Sequence, residues 1–228
     1  MVSVVIAAYN GEKYIAEQIN SVLPQLGEND ELIVSDDNPE GETVKIVAEI
    51  AKNDGRVKYI RGYGKGVIKN FENAIKHAKG DYIFLCDQDD VWLDGKVDAV
   101  MKAFADGADV VMHDGYIADS NLNKTGQTVF HVNNAGKGIL KNFIKNTYQG
   151  SCMAFSAEMK KYILPFPEKI PMHDQWIGIM GEKHAKVQLL NCPYILYRRH
   201  DETVTGSQTS AMQKIRWRIA LLGCLIGK

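Results

Sequence analysis

The sequence predicts an α/β fold: one domain on a mostly parallel central sheet with helices on its faces. Three observations lead there. Short β-branched runs alternate with helix-period segments through residues 1–113. The runs are apolar throughout, as strands buried on both faces are. Two of them end in clusters of acids, at the strand edge where open α/β sheets bind ligands. Alternation of this kind implies right-handed crossovers between parallel strands.

Residues 2–7 are a β-branched run closed by Tyr9-Asn10-Gly11, which predicts a buried strand entering a turn. Tyr14, Ile15, Ile19, Val22 and Leu23 recur at helical spacing, predicting a helix over 12–23. Strands are expected at 31–35 and 57–60, with a helix over 42–52 between them. A glycine-rich segment, RGYGKG at 61–66, then leads to a helix over 67–79, a strand at 81–86, a helix over 94–105 and a strand at 108–112. Beyond His113 the alternation weakens, and residues 114–150 read as polar, glycine-containing chain. A strand at 151–155, a helix over 173–184 and two short strands at 187–190 and 194–197 complete the domain. Domain boundaries follow: a domain over 1–206, with 1–113 making the sheet and 114–206 the rest of the site, and a tail over 207–228.

Composition narrows the function classes. The chain has 228 residues, enough for a full core without cross-links, and a net charge of −1 offers no global field for nucleic acid. Its four cysteines form no C-x-x-C pair, which suits a reducing compartment and a cytoplasmic location. The apolar N-terminal run lacks a preceding basic region, so no signal peptide is expected, and no apolar stretch approaches the roughly 20 residues that span a bilayer. Residues 213–228 open with three basic residues and a tryptophan, followed by a short apolar run. Such a helix suits an anionic membrane surface or packing on the core.

The informative string is DYIFLCDQDDVW at 81–92, an apolar strand that ends in Asp87, Asp89 and Asp90. Crowded carboxylates raise one another's pKa, and a divalent cation relieves the repulsion. Oxygen ligands suit Mg²⁺ or Mn²⁺, with substrate phosphates completing the shell. The alternative is an acidic helix start, although a cap needs one Asp rather than three. The strand at 31–35 also ends in acids, Asp36 and Asp37, placed to accept hydrogen bonds from a ribose or base, or to form an acidic turn. Neither G-x-G-x-x-G after the first strand nor a P-loop is present, and Gly62, Gly64 and Gly66 read as a flexible loop. Trp92 and Trp176 could line a sugar site, but core placement is commoner for such aromatics. Asp174 alone reads as a first-turn helix acid, and His200 as a surface histidine in the basic stretch Arg198-Arg199-His200, which also suits a diphosphate.

Six ordered segments resemble glycosyltransferase family 2 and its GT-A fold, a Rossmann-like nucleotide-binding domain. They are VSVVIAAYNGEKYIAEQINSVL, ELIVSDD, GVIKNFENAIKHAKGDYIFLCDQDDVW, GSCMAF, MHDQW and YRRHDETVTG, and together they span residues 2–206. FLCDQDDVW and HDQW are most similar to bacterial rhamnosyltransferase-like surface-polysaccharide transferases. The resemblance implies Asp89 as principal metal ligand, with Asp90 and His200 at the metal and Asp87 at the metal or ribose. It implies Asp37 at the base with Asp36 beside it, Ala8 and Tyr9 framing the nucleotide, and Lys69 and Asn70 near the donor phosphates or ribose. Asp174 is implied as the general base. The chain departs from the family pattern at Ala8, where proline is usual, at Asn38-Pro39, where Gly-Ser is usual, and at Thr203, where asparagine is common.

The function expected on this basis is inverting, Mn²⁺- or Mg²⁺-dependent transfer of a sugar, rhamnose among the candidates. The donor would be a UDP- or dTDP-linked sugar and the acceptor a hydroxyl of a glycan or lipid-linked glycan, at the inner face of the cell membrane. The alternatives are a sugar-phosphate nucleotidyltransferase, which should carry a basic glycine-rich first turn that AAYNGEKY lacks, and an inactive nucleotide- or glycan-binding module, which should have lost its acids.

Overall fold

The β-branched run predicted first becomes β1 (Val2–Ala8), almost wholly buried, in the computed structural model, which describes residues 1–199 and 210–226. The helix after it is α1 (Ile15–Val22), whose Ile15, Gln18, Ile19 and Val22 face inward at the expected spacing. Next come β2 (Glu31–Asp36), α2 (Thr43–Asn53), β3 (Val57–Arg61), α3 (Val67–His77) and β4 (Tyr82–Asp87). These strands pair in parallel in the order β3-β2-β1-β4, with β1 between β2 and β4. All four therefore point their carboxyl ends to one edge.

A two-residue strand β5 (Val91–Trp92), helix α4 (Lys96–Ala105) and β6 (Val110–Ala118) follow. The stretch read as polar chain holds a hairpin strand β7 (Lys124–Thr128) and two short helices, α5 (Val129–Asn133) and α6 (Ile139–Ile144). Then come β8 (Met153–Ser156), α7 (Lys160–Ile163), α8 (His173–His184), β9 (Val187–Arg198) and α9 (Ala211–Ile226). Strand β8 lies between β4 and β6, antiparallel to both, while β9 runs parallel to β6 and antiparallel to β5. Helices flank this mostly parallel sheet, as expected.

One expectation is corrected. The two strands foreseen at 187–190 and 194–197 are a single twelve-residue strand. Its pairing with β6 jumps from His113–Leu190 to Asp114–Pro193, so Asn191 and Cys192 bulge out and Pro193 sits where the ladder is interrupted. A bulge is where a strand accepts proline.

Candidate active site

Register places the acids. Ala7 pairs with Asp87 and Ala8 with Asp36, so both acidic clusters flank the end of β1. Asp36 is fully buried and accepts from the Asn38 amide at 3.0 Å and the Tyr59 hydroxyl at 3.3 Å. Burial still lifts its carboxyl above the ordinary carboxylate range. Asp37 donates its amide to the Ala8 carbonyl at 2.9 Å. Its carboxylate accepts from the amides of Gly64 (3.1 Å) and Gly66 (2.7 Å). The glycine segment read as a plain flexible loop is thus folded onto Asp37. Gly62 has to be glycine there, since a Cβ would lie 2.9 Å from both Asn70 Oδ1 and the Asp36 carbonyl.

Asn70 sits behind the same edge, its amide donating to the Ala8 carbonyl at 2.9 Å. Lys69 was expected near the donor phosphates. Its ammonium is bound to Glu72 at 2.6 Å and to the Phe166 carbonyl at 3.2 Å, neutralising a buried carboxylate. Tyr9 stands 62% exposed at the mouth of the edge, open to a flat ligand.

Sequence reasoning passed over Gln88. Its side chain accepts from the Tyr9 amide at 2.9 Å and donates to the Tyr9 carbonyl at 3.0 Å, clasping the β1 turn to the acidic loop. Gly11 leaves room for the clasp: a Cβ there would approach Gln88 Cδ to 2.9 Å. A neutral amide between acids carries no local signal of such a tie.

The three acids after β4 divide. Asp87 is driven up to about 7 by burial first, then by the charges of Asp89 and Asp174, with Lys96 opposing. Asp90 is buried and accepts from the Arg198 amide at 3.0 Å, and burial with the charges of Asp87 and Asp89 pushes it well above its usual range. Asp90, expected at the metal, is therefore turned inward as a tie to β9. The Arg198 guanidinium donates to the carbonyls of Asp89 and Ser120, both at 2.7 Å, pairs with Glu17 and lies 4.5 Å over the Tyr14 ring. The suggestion that this basic stretch binds diphosphate does not extend to Arg198, whose donors hold the acidic loop and α1. His200 lies outside the described residues.

Lys96 was also missed. It is fully buried at the start of α4, 3.7 Å over the Trp92 ring, with its ammonium donating to the Ser151 carbonyl at 2.9 Å. Burial lowers it to about 8, against the pull of the nearby Asp90 and Asp87 charges. A buried cation thus backs the acids from inside the fold, with Trp92 beneath it in the core.

Asp174 lies in the first turn of α8, and its carboxylate accepts from Asn146 Nδ2 at 2.9 Å and the Gln175 amide at 2.6 Å. Burial raises it to about 6. Because its charge is felt at Asp87, the two lie in one electrostatic cluster although 87 residues separate them in the chain. His173 beside it is buried, stacked on Phe71 with ring centroids 4.1 Å apart, and held near 3 by desolvation, so its imidazole is neutral.

Whether these groups suit a divalent cation can be judged from their chemistry. Among the described residues no three His, Cys, Asp or Glu side chains form a closed metal cage. Asp87 and Asp89 nonetheless repel each other at the ligand edge. A pair of carboxylates is what Mg²⁺ or Mn²⁺ needs when substrate phosphates supply the remaining ligands, so the set fits.

This arrangement has counterparts. TarS 1-349 of S. aureus, solved in complex with UDP-GlcNAc, superposes with a TM-score of 0.75 at 20% identity, over 98% of this chain and 66% of that one. The mannosyltransferase PcManGT from Pyrobaculum calidifontis, solved with GDP-Man and Mn²⁺, gives 0.65 at 15% identity, over 100% of this chain and 64% of that one. The fold is that of the GT-A glycosyltransferases. In sequence, the chain is 25% identical to the Escherichia coli UDP-Glc:alpha-D-GlcNAc-diphosphoundecaprenol beta-1,3-glucosyltransferase WfgD, over 96% of this chain and 85% of the relative. It is 26% identical to the Campylobacter jejuni GalNAc(5)-diNAcBac-PP-undecaprenol beta-1,3-glucosyltransferase, over 91% of this chain and 69% of the relative. The pattern of the family described as "Glycosyl transferase family 2" matches residues 3–164, from β1 through β8 to the end of α7. With the acids of β2 and β4 gathered at one edge of the sheet, the chain belongs to glycosyl transferase family 2 and is a glycosyltransferase.

Proposed function

We propose that the protein transfers a hexose from a UDP-sugar to a hydroxyl of a lipid-linked glycan, with inversion at the anomeric carbon. The observation that carries this reading is that the charges of nearby Asp89 and of Asp174, on α8, both act on Asp87 at the end of β4. Residues 1–113 hold the donor and 114–206 the acceptor, with 207–228 an appended tail. Asp37 and the loop folded on it border the base, Asp36 and Asn70 shape the floor, and Tyr9 stacks on the nucleotide. A divalent cation, Mn²⁺ or Mg²⁺, held by Asp87 and Asp89 would neutralise charge gathering on the leaving diphosphate.

Asp174 accepts the proton of the acceptor hydroxyl as that oxygen attacks the anomeric carbon. The C–O bond to the diphosphate breaks on the opposite face and UDP leaves with the bonding pair. Asn146 and the Gln175 amide hold the carboxylate for this task. A base with a pKa near 6 is ionised at neutral pH yet still basic enough to take a proton.

The names of the two relatives, one citing UDP-Glc and both a glucosyltransferase and an undecaprenol-linked substrate, support UDP and a hexose over dTDP-linked rhamnose. They also support work at the inner face of the membrane, where residues 213–228 could make contact. The deciding experiment is calorimetric titration of UDP, dTDP and GDP with Mn²⁺ and with EDTA. UDP binding that needs the metal and disappears in Asp89→Ala is the expected result. UDP binding that survives EDTA removes the cation, and no UDP binding under either condition removes the donor assignment.

A further inference from the structure

We propose that α6 and α9 together form a docking surface for an anionic lipid bilayer, and that this surface turns the base side of the active site toward a membrane-borne acceptor. The second half of this statement rests on the acceptor proposed above; the first does not.

On α9, Met212, Ile215, Ile219, Leu222 and Ile226 recur at alternating intervals of three and four, which lines them on one face. All five are exposed, from 49% at Ile215 and Leu222 to 78% at Ile226. The inward face is different: Leu221 is fully buried and Leu225 packs on the core. Helical geometry puts Arg216 on one flank of the exposed stripe and Lys214 and Arg218 on the other.

Helix α6 extends the surface. Ile139, Leu140 and Ile144 are exposed, at 40%, 72% and 53%, with Lys141 and Lys145 among them. Arg218 joins the helices by donating to the Ile144 carbonyl through Nη2 at 2.6 Å and Nε at 3.1 Å. No acid occurs in 136–146 or 210–226. Eight exposed apolar side chains set among cations on two linked helices match the pattern that seats a helix at the headgroup boundary.

The charge pattern selects the occupant. In a second copy of this surface, cations would meet cations. Anionic lipid meets both the charges and the apolar side chains.

The surface is tied to the chemistry. Gln175 donates to the Asn142 carbonyl of α6 at 2.7 Å, and Asn146, two residues past the end of α6, holds Asp174. The element proposed to rest on the bilayer thus positions the base.

Flotation of the intact chain on vesicles of phosphatidylcholine alone, and with phosphatidylglycerol added, tests this. The chain should float only on the anionic vesicles, and less as salt rises. Ile219→Glu on α9, and separately Leu140→Glu with Lys141→Glu on α6, should each cut partitioning by roughly tenfold or more. Both variants should retain the parent melting temperature, and Ile219→Glu the parent transfer to a soluble acceptor. Absence of flotation, equal flotation on both vesicle types, or loss only with the α9 variant would overturn the two-helix surface. So would a dimer in light scattering that Ile219→Glu dissolves while flotation is absent. If flotation holds and UDP binding fails, only the catalytic reading falls.

Discussion

Asp174 is held against its solvation preference, and that has two opposite consequences. Its carboxyl sits at about 6 because burial disfavours the charge. A base works only when ionised, so kcat/KM should be level above about pH 7 and fall about tenfold per unit below about 6. A pH–rate profile checks this. For stability the sign reverses, because a carboxyl raised above its unfolded value costs the fold stability once the pH passes that value. Asp174→Asn should therefore lower kcat by roughly 10²–10⁴-fold while stabilising the fold by up to about 3 kcal/mol at pH 7. Urea melts beside single-turnover rates would show the two effects diverging. Lys96 presents the converse case. Its removal in Lys96→Met takes away a charge that opposes the upward shift of Asp87 and should push that carboxyl's titration higher still, checked by a pH titration of the variant beside the parent. The position was illegible in the sequence because lysine on an amphipathic helix reads as surface. Only the tertiary fold lays Trp92 and the Ser151 carbonyl around its ammonium.

At the scale of elements, strands were legible wherever burial on both faces left an unbroken apolar run, as in β1, β2 and β4. They were not legible where pairing across the sheet overrules local signals. Asn191-Cys192-Pro193 reads as a turn, yet β6 draws the flanks into one strand and expels the two extra residues. The hairpin strand β7 has exposed, polar positions and leaves no pattern at all. The same limit applies to the clasp between the β1 turn and the acidic loop, which depends on Gln88 and the space at Gly11. Gly11→Ala should displace that amide and weaken UDP binding by about 1–3 kcal/mol, an overpacking cost, measurable by calorimetry. Glu31, buried at the opposite end of β2, bonds Ser3, Lys58 and the Lys79 amide. Burial raises its carboxyl, but these bonds outweigh it and the net pKa is lowered. Its contribution is present above the unfolded value of 4.5 and is lost as pH falls through the lower folded one. Glu31→Gln should flatten the acid limb of a plot of melting temperature against pH.

For the molecule as a whole, the α/β class, the parallel half and the placement of acids at one edge were all legible in residues 1–113. Periodicity and strand ends are local properties. The closure of the site was not, because it depends on Arg198, whose amide reaches Asp90 from 108 residues further along the chain. Arg198, the last residue of β9, joins Glu17 of α1, the Asp89 carbonyl and the Ser120 carbonyl after β6. That geography bears on synthesis. A growing chain is made from its amino end, and its early parts settle first. When β1 to β4 have left the ribosome they can pair, yet the loop bearing the acids has neither its amide donor nor its guanidinium. The acidic loop gains these partners only once residue 198 arrives, so that part of the site is completed when β9 joins the sheet.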